Sequence, residues 1–546
     1  MVINIYHLTR KDSKEKRRWS ILKWSFLGML LLFVGVAIAV LVYEVRTSSF
    51  QAQEFSRYAT TLTYTLEAGP SDQIVYPKYG PFDKRLGYVH MPRLLEQVQS
   101  RGMEIERQTR FSPELINYTS HGYFTPYREK MQAGLKITDA RGDSVYQFRY
   151  PKRVYPNFES IPPLITQSLL FIENRELLDT AKHNMNPAID WARFTRAIMH
   201  EAAKSVGLEY RTIGGSTLST QIEKFRHSPG GRTTGANEKI RQMVSSSIRT
   251  YQQGPETYPA RRDIVLSYVN SVPLSAAPGF GEVHGLADGL WVWFGRDYRE
   301  VSELLNDRDA TGEKLVAQGQ VLREVLSLMI AQRRPSFYLA KEGRPELNSL
   351  TGSYLRLLAN NGYISPELRD AGLAQDVPFR DFKEDPVVEP QETNKGTLMV
   401  RTHLSAMLGK SLYDLDRMDL SATTTLQREL QEQVSMYLKK LNDPEFARTV
   451  GVVGERMLSP NRTEEVQYSF TLFERSPHGN LVRVQTDNTD QPFDMNEGSK
   501  LELGSTAKLR VLVTYLEVIA EIHSRYADQP VAALRSALNE PHDHLT

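Results

Sequence analysis

The first sustained signal along the chain is an uninterrupted apolar run, WSFLGMLLLFVGVAIAVLVY from Trp24 to Tyr43, which carries no charge. A helix of that length, rising about 1.5 Å per residue, spans about 30 Å, the thickness of a bilayer's hydrocarbon core. Trp24 and Tyr43 stand at its two ends, where amphipathic rings favour the membrane interface. The pattern predicts a single transmembrane helix over 24–43, behind a leader at 1–23. The competing reading is a cleaved signal peptide. Against it, the run is longer than a usual signal core, and no small-x-small cleavage site precedes Tyr43.

Past the apolar run the periodicity changes. Residues 45–66 read as a polar helical stalk, and turn-rich text follows, with a helical stretch at Leu94–Ser100. Between 133 and 153 apolar positions alternate on both sides of an Ala-Arg-Gly-Asp turn, which predicts a hairpin. Residues 45–150 are therefore read as a small mixed α+β module. From 154 to 375 the helical period recurs at Leu164–Leu178, Trp191–Ala203, Lys239–Tyr251, Ile264–Val269 and Gln318–Arg333, predicting a mainly α domain. Residues 376–420 open on an acidic, proline-bearing text without period and are read as a linker. The last segment, 421–546, combines a helix at Leu426–Leu441 with strand-like text at Tyr468–Phe473 and Leu481–Val484. No internal repeat is present.

Composition adds limits to this outline. At 546 residues the chain exceeds one compact core. Lys+Arg 67 against Asp+Glu 65 leaves a net charge of +2, which gives no reason to expect nucleic acid as a partner. Local charge is more informative. Arg10, Lys11, Lys14, Lys16, Arg17, Arg18 and Lys23 precede the apolar run against Asp12 and Glu15, whereas Glu44 and Arg46 follow it. The positive-inside bias puts the leader in the cytoplasm and everything after Tyr43 outside. The sequence has no cysteine, so disulfides, thiolate metal sites and cysteine nucleophiles are excluded together.

Three places in the helical block carry candidate chemistry, a carboxylate that could act as a base and two helices whose starts or polar faces could hold an anion. Glu173 follows the apolar run LLFI, where partial burial raises a carboxylate's basicity. Taken alone, it is equally a surface glutamate. In IGGSTLSTQIEKF (213–225) two glycines permit close backbone approach, and Ser216 or Thr217 can cap the helix. Thr217, Gln221 and Lys224 then share one face, with Leu218, Ile222 and Phe225 on another. In ANEKIRQMVSSSIRTY (236–251) Lys239, Gln242, Ser246 and Arg249 make a polar stripe beside an apolar one. For both helices a capped or solvated surface is the plainer reading.

Order and spacing take the reading further. Residues 163–300 resemble the family-51 glycosyltransferases, the strand-polymerising domains of bifunctional penicillin-binding proteins. Glu173-Asn174, Leu177, Asp190 and Arg196-Ala197 stand along the first motif, and Gly214, Ser216, Thr217, Gln221 and Lys224 along the second. Glu238, Lys239 and Gln242 stand along the third, Arg261, Ile264, Tyr268 and Asn270 along the fourth, and Gly285 with Trp293-Phe294-Gly295 along the fifth. The resemblance implies a lysozyme-like, mainly α fold on a single-pass anchor in the cytoplasmic membrane. It implies lipid II and the growing glycan strand as substrates, and cell-wall synthesis proteins as partners. Glu173 would be the general base, and attack on the donor's C1 would proceed with inversion. Ser216, Thr217, Gln221, Lys224, Lys239, Gln242 and Asn270 would bind substrate or its diphosphate.

Several positions depart from the family pattern. Asn174 replaces an aspartate, Gln242 a glutamate, Thr220 a glutamine and Glu238 an arginine, and Asn186 stands near the usual histidine. The resemblance implies a divalent cation, magnesium or manganese, as the cofactor. Hard cations prefer carboxylates to amides, so Asn174 and Gln242 weaken that expectation. The same losses keep a catalytically impaired scaffold in view, and a lone Glu in a helical sugar groove also suits a lytic muramidase-like hydrolase.

Near the end, LGSTAKL places Ser505 and Lys508 three residues apart on a helix, so the amine can reach the hydroxyl as a base. Gly-Ser-Thr-x-Lys resembles the nucleophile motif of penicillin-binding transpeptidases, and ATTTLQRELQ (422–431) resembles the start of that domain. The remaining motifs of that site do not follow. The segment 421–546 is accordingly expected to be the N-terminal part of a transpeptidase-like domain, either cut short or vestigial. A closing His-Asp-His at 542–544 reads as an exposed tail.

Overall fold

The apolar run lies inside one long helix, α1 (Tyr6–Thr47), in a computed structural model that describes residues 6–191, 216–387, 394–477, 479–489, 491, 495–500, 502 and 504–538. Its stretch Leu22–Thr47, 26 residues, is long and apolar enough to cross a membrane. Leu31, Phe33 and Val36 are exposed along it. The helix ends where Ser48 adopts a left-handed conformation (φ 55°), and α2 (Ser49–Ala59) starts at once. Glu44 reaches forward to cap α2, its carboxylate accepting from the N–H groups of Phe50 at 2.8 Å and Gln51 at 2.9 Å. Those donors are among the four that a helix start leaves without intrahelical partners.

β1 (Tyr64–Ala68) pairs antiparallel with β2 (Arg107–Phe111), around α3 (Pro81–Leu86) and α4 (Met91–Gln99). After α5 (Pro113–Ser120) comes the expected hairpin, β3 (Gly134–Thr138) with β4 (Ser144–Gln147). The helical block follows. Its members are α6 (Pro163–Glu173), α7 (Leu218–His227), α8 (Ala236–Thr250) and α9 (Tyr258–Ser271). A small pair, β5 (Pro273–Ala277) and β6 (Gly281–His284), leads to α10 (Leu286–Phe294), α11 (Tyr298–Asn306), α12 (Gly312–Ala331), α13 (Arg344–Asn360) and α14 (Pro366–Leu373). One large apolar core holds the block together, with α12 at its centre contributing Val321, Leu322, Val325, Leu326, Leu328 and Ile330. The helix expected over Trp191–Ala203, and Gly214 with it, lies outside the described residues except for Trp191.

The expected linker at 376–420 is largely ordered protein. Phe382 packs edge-on against Trp293 (5.6 Å between centroids) and Phe379 against Phe294 (5.2 Å). The Arg380 amide donates to the Trp293 carbonyl at 2.7 Å. Beyond it run α15 (Lys395–Leu408), α16 (Leu412–Arg417) and β7 (Asp419–Thr423). β7 pairs in parallel with β3, giving a three-stranded sheet in the order β4-β3-β7.

That pairing corrects the expected boundaries. Residues 45–150 are not a separate module, because short strands with mostly polar faces bury too little apolar surface alone. One cluster joins Ala59, Leu62, Phe111, Leu115 and Tyr118 to Ile248 of α8, and another joins Leu94, Leu135 and Ile137 to Leu408, Leu415 and Met418. The chain divides into two compact units, Met1–Glu392 with Met399–Arg428, and Thr393–Leu398 with Glu429–Thr546. The main segment of the second therefore begins at Glu429, and Ser421 belongs to the first. It contains most of α17 (Arg428–Lys440) and the hairpin of β8 (Ser469–Ser476) with β9 (Gly479–Asp487). Gln431 mimics a strand there, accepting from the Gln485 N–H at 2.8 Å and donating to its carbonyl. α18 (Ala507–Tyr526) buries none of its residues.

Candidate active site

α6 is apolar nearly all round, with Ile165, Leu169, Leu170 and Phe171 in the core, so it runs through the domain and delivers its last residue, Glu173, to a partly closed edge. Asn174 ends the helix by turning extended (φ −161°, ψ 95°). Its side chain accepts from the Glu176 N–H at 3.2 Å, so the amide serves its own turn. Glu173 is only 8% exposed, which demands partners for its carboxylate. Two amides supply them. Gln221 Nε2 donates to Oε2 at 2.8 Å and Gln332 Nε2 to Oε1 at 3.0 Å.

α7 is aimed by its own start. Thr217 is the N-cap, accepting from the Thr220 N–H at 3.4 Å, while Thr220 Oγ1 accepts from the Thr217 N–H at 2.9 Å. This is a reciprocal capping box in which Thr220, a departure from the family pattern, is one of the two members. With the first turn fixed, Gln221 and Lys224 fall on the face toward Glu173. Burial holds the Lys224 ammonium below the usual lysine range, opposed by the charge of Glu173. From α8, Lys239 donates to Ser216 Oγ at 2.8 Å. Burial, with repulsion from Lys224 added, pushes its pKa down to about 8. Glu173, Ser216, Gln221, Lys224 and Lys239 are thus brought to one place. Tyr268 is beside them: burial first, and then the Glu173 charge, push its phenol well above the usual range. Its hydroxyl has no hydrogen-bond partner among the described residues.

Other expected members lie elsewhere. Thr217 Oγ1 is taken up in the cap and in a 3.1 Å contact with Ser219. Gln242 is fully buried and donates to Ser228 Oγ and Thr233 Oγ1, each at 3.0 Å, tying the α7–α8 loop together. Asn270 is also fully buried. It accepts from the Tyr155 N–H and donates to the Tyr155 carbonyl, both at 2.8 Å, clamping the segment that enters the domain. The amides of Gln242 and Asn270, so deep in the core, are spent on the backbone and loops around them. In the second unit, Ser505 sits in a 3-10 turn with Lys508 in the helix behind it, and both are exposed.

Sequence reasoning missed two features. Gln332 caps α12, and neither spacing nor motif marks it, because its partner Glu173 is 159 residues away. The second feature is a charged cluster on the opposite face of α7. His227 contacts Asp83 through Nδ1 at 2.8 Å and Glu129 through Nε2 at 2.6 Å. Arg226 donates to Glu129 at 2.5 Å, and Arg249 pairs with Glu129 at 2.9 Å and Glu223 at 2.8 Å. Burial alone would lower the His227 pKa, but Glu129 and then Asp83 override it and push it up to about 10. The Arg249 end of the expected polar stripe therefore faces inward, while Lys239 faces the site.

Among the described residues no group of three or more His, Asp or Glu side chains could hold a divalent cation, and the side-chain amides of Asn174 and Gln242 are committed to a turn and a loop. What the cluster offers is one buried carboxylate between amide donors, with two partly desolvated ammonium groups close by. Residues 141–346, which span all of these positions, match the family model described as transglycosylase. No curated protein matches the chain.

Proposed function

We infer that this protein, whose residues 141–346 match the transglycosylase family model, polymerises lipid II into glycan strands with release of undecaprenyl diphosphate. The observation that carries the reading is the convergence on Glu173, a buried carboxylate with two ammonium groups, Lys224 and Lys239, presented from α7 and α8. Glu173 accepts the proton of the acceptor's 4-hydroxyl. The freed oxygen attacks C1 of the donor sugar from the face opposite the diphosphate, which inverts that carbon. The C1–oxygen bond to the diphosphate breaks, and Lys224 and Lys239 offset the charge that develops on the leaving group. The Leu22–Thr47 helix anchors the chain in a single pass with its leader cytoplasmic, which puts the site on the side where a lipid-borne donor is displayed.

The test is polymerisation of fluorescent lipid II by the detergent-solubilised full chain, beside Glu173→Gln. Strand products from the native protein and a loss of about 100-fold or more in the variant are expected. Bound but unconverted lipid II in the native protein would favour the scaffold reading, and shortening of preformed strands the hydrolytic one.

A further inference from the structure

Both oxygens of Glu173 are occupied by neutral amides from different helices. Gln221 comes from the capped start of α7, and Gln332 is the residue on which α12 ends. Gln221 belongs to the motif that marks the family resemblance, but Gln332 stands outside every motif, 159 residues from its partner. It is half-buried, and its neighbour Arg333 donates to the Tyr354 hydroxyl at 2.9 Å while its charge feels that of Glu173. The group that the end of the central core helix hydrogen-bonds to the carboxylate is thus the neutral amide of Gln332.

We propose that Gln332 is a positioning residue for Glu173, fixing the carboxylate's rotamer and following its protonation by rotating its own amide. This rests on the reading of Glu173 as general base. With Glu173 ionised, Nε2 donates, as observed. When Glu173 takes the acceptor's proton, its O–H becomes a donor, and a half-turn of the amide presents Oε1 to accept it. A primary amide carries donor and acceptor on one planar group, so both states of the base stay satisfied. A lysine or arginine at this position would hold only the ionised state. Because the contact acts on the base and not on the sugar, it bears on turnover and not on substrate affinity.

The experiment compares the full chain with Gln332→Leu, Gln332→Glu and Glu173→Gln in lipid II polymerisation, with kcat and KM read separately between pH 5.5 and 8.5 and thermal melts taken in parallel. Gln332→Leu is expected to lose about 10- to 100-fold in kcat, the scale of one hydrogen bond to a charged group, with KM within about twofold. Gln332→Glu is expected to recover activity toward acid pH, where the pair shares a proton, whereas the Leu variant gains nothing there. If Gln332→Leu does not fold, the pH response of Gln332→Glu decides the matter. Native kcat in Gln332→Leu beside an inactive Glu173→Gln overturns the positioning role and leaves the base intact. No product from the native protein overturns both.

Discussion

At the scale of single residues, the lysines have the clearest consequence. Lys239 has a pKa of about 8 because burial and Lys224 both disfavour its charge. A diphosphate arriving beside it restores the favourable field, so bound ligand raises that pKa. Affinity is then flat below about pH 8 and falls above it as the free enzyme loses the proton first. Lipid II binding titrated from pH 6.5 to 9.5 is expected to weaken over the upper part of that range. Lys239→Met is expected to bind about tenfold more weakly at neutral pH and to lack the alkaline decline. An unchanged decline in the variant would move the titrating group elsewhere. Glu173, Gln221, Lys224 and Lys239, which come from three helices, stand out in the sequence because they fall along the motifs of the family resemblance. Gln242 and Asn270 stand at offsets just as regular, yet their helices turn them inward, and which face of a helix meets the core is set by packing that no short motif records.

At the scale of elements, α7 turns Gln221 and Lys224 toward Glu173 on one face and carries an ion cluster on the other. Asp83 and Glu129 from the preceding region, with Glu223, Arg226, His227 and Arg249, brace the helix that presents Gln221 and Lys224. Removing one member leaves its partners charged and buried, at a cost of about 3–5 kcal/mol. His227→Gln is expected to lower the melting temperature. Since folding raises the His227 pKa to about 10, its stabilisation is complete below the unfolded value near 6.5 and is lost as pH rises toward 10. Melts of the native protein over that window should show the decline, and those of His227→Gln a flatter course; parallel slopes would show that another group titrates. The amphipathic helices of the block were legible from their period, as was the 133–153 hairpin. The 376–387 strap was not, because it packs by isolated aromatic anchors, Phe379 and Phe382, without any repeat.

At the scale of the whole molecule, the junction after the apolar helix is built and not loose. Glu44 caps α2, Ser48 Oγ accepts from the Asn186 N–H at 3.3 Å, and Asn186 Nδ2 donates to Gln51 and to Ser247 of α8, both at 3.0 Å. Asn186, a departure from the family pattern, is thus a bolt between the end of α1 and a helix of the site. Asn186→Ala is expected to speed amide exchange at 48–51 and 184–188 while the α12 core keeps its protection. Equal protection in both proteins would show that the apolar contacts alone hold the joint. The long apolar helix itself was readable from composition, but the joint was not, since it depends on a left-handed Ser48 and on partners more than 130 residues away.

The parallel pairing of β3 with β7 also sets a timetable for biosynthesis. Thr138 and Thr423 face each other across 285 residues of chain. At about 5–20 residues per second of synthesis, β3 is made roughly 15–60 s before the strand that covers its edge. Through that interval the nascent chain exposes one open edge of β3 and the apolar side chains of Leu94, Leu135 and Ile137, a surface open to mispairing with neighbouring chains.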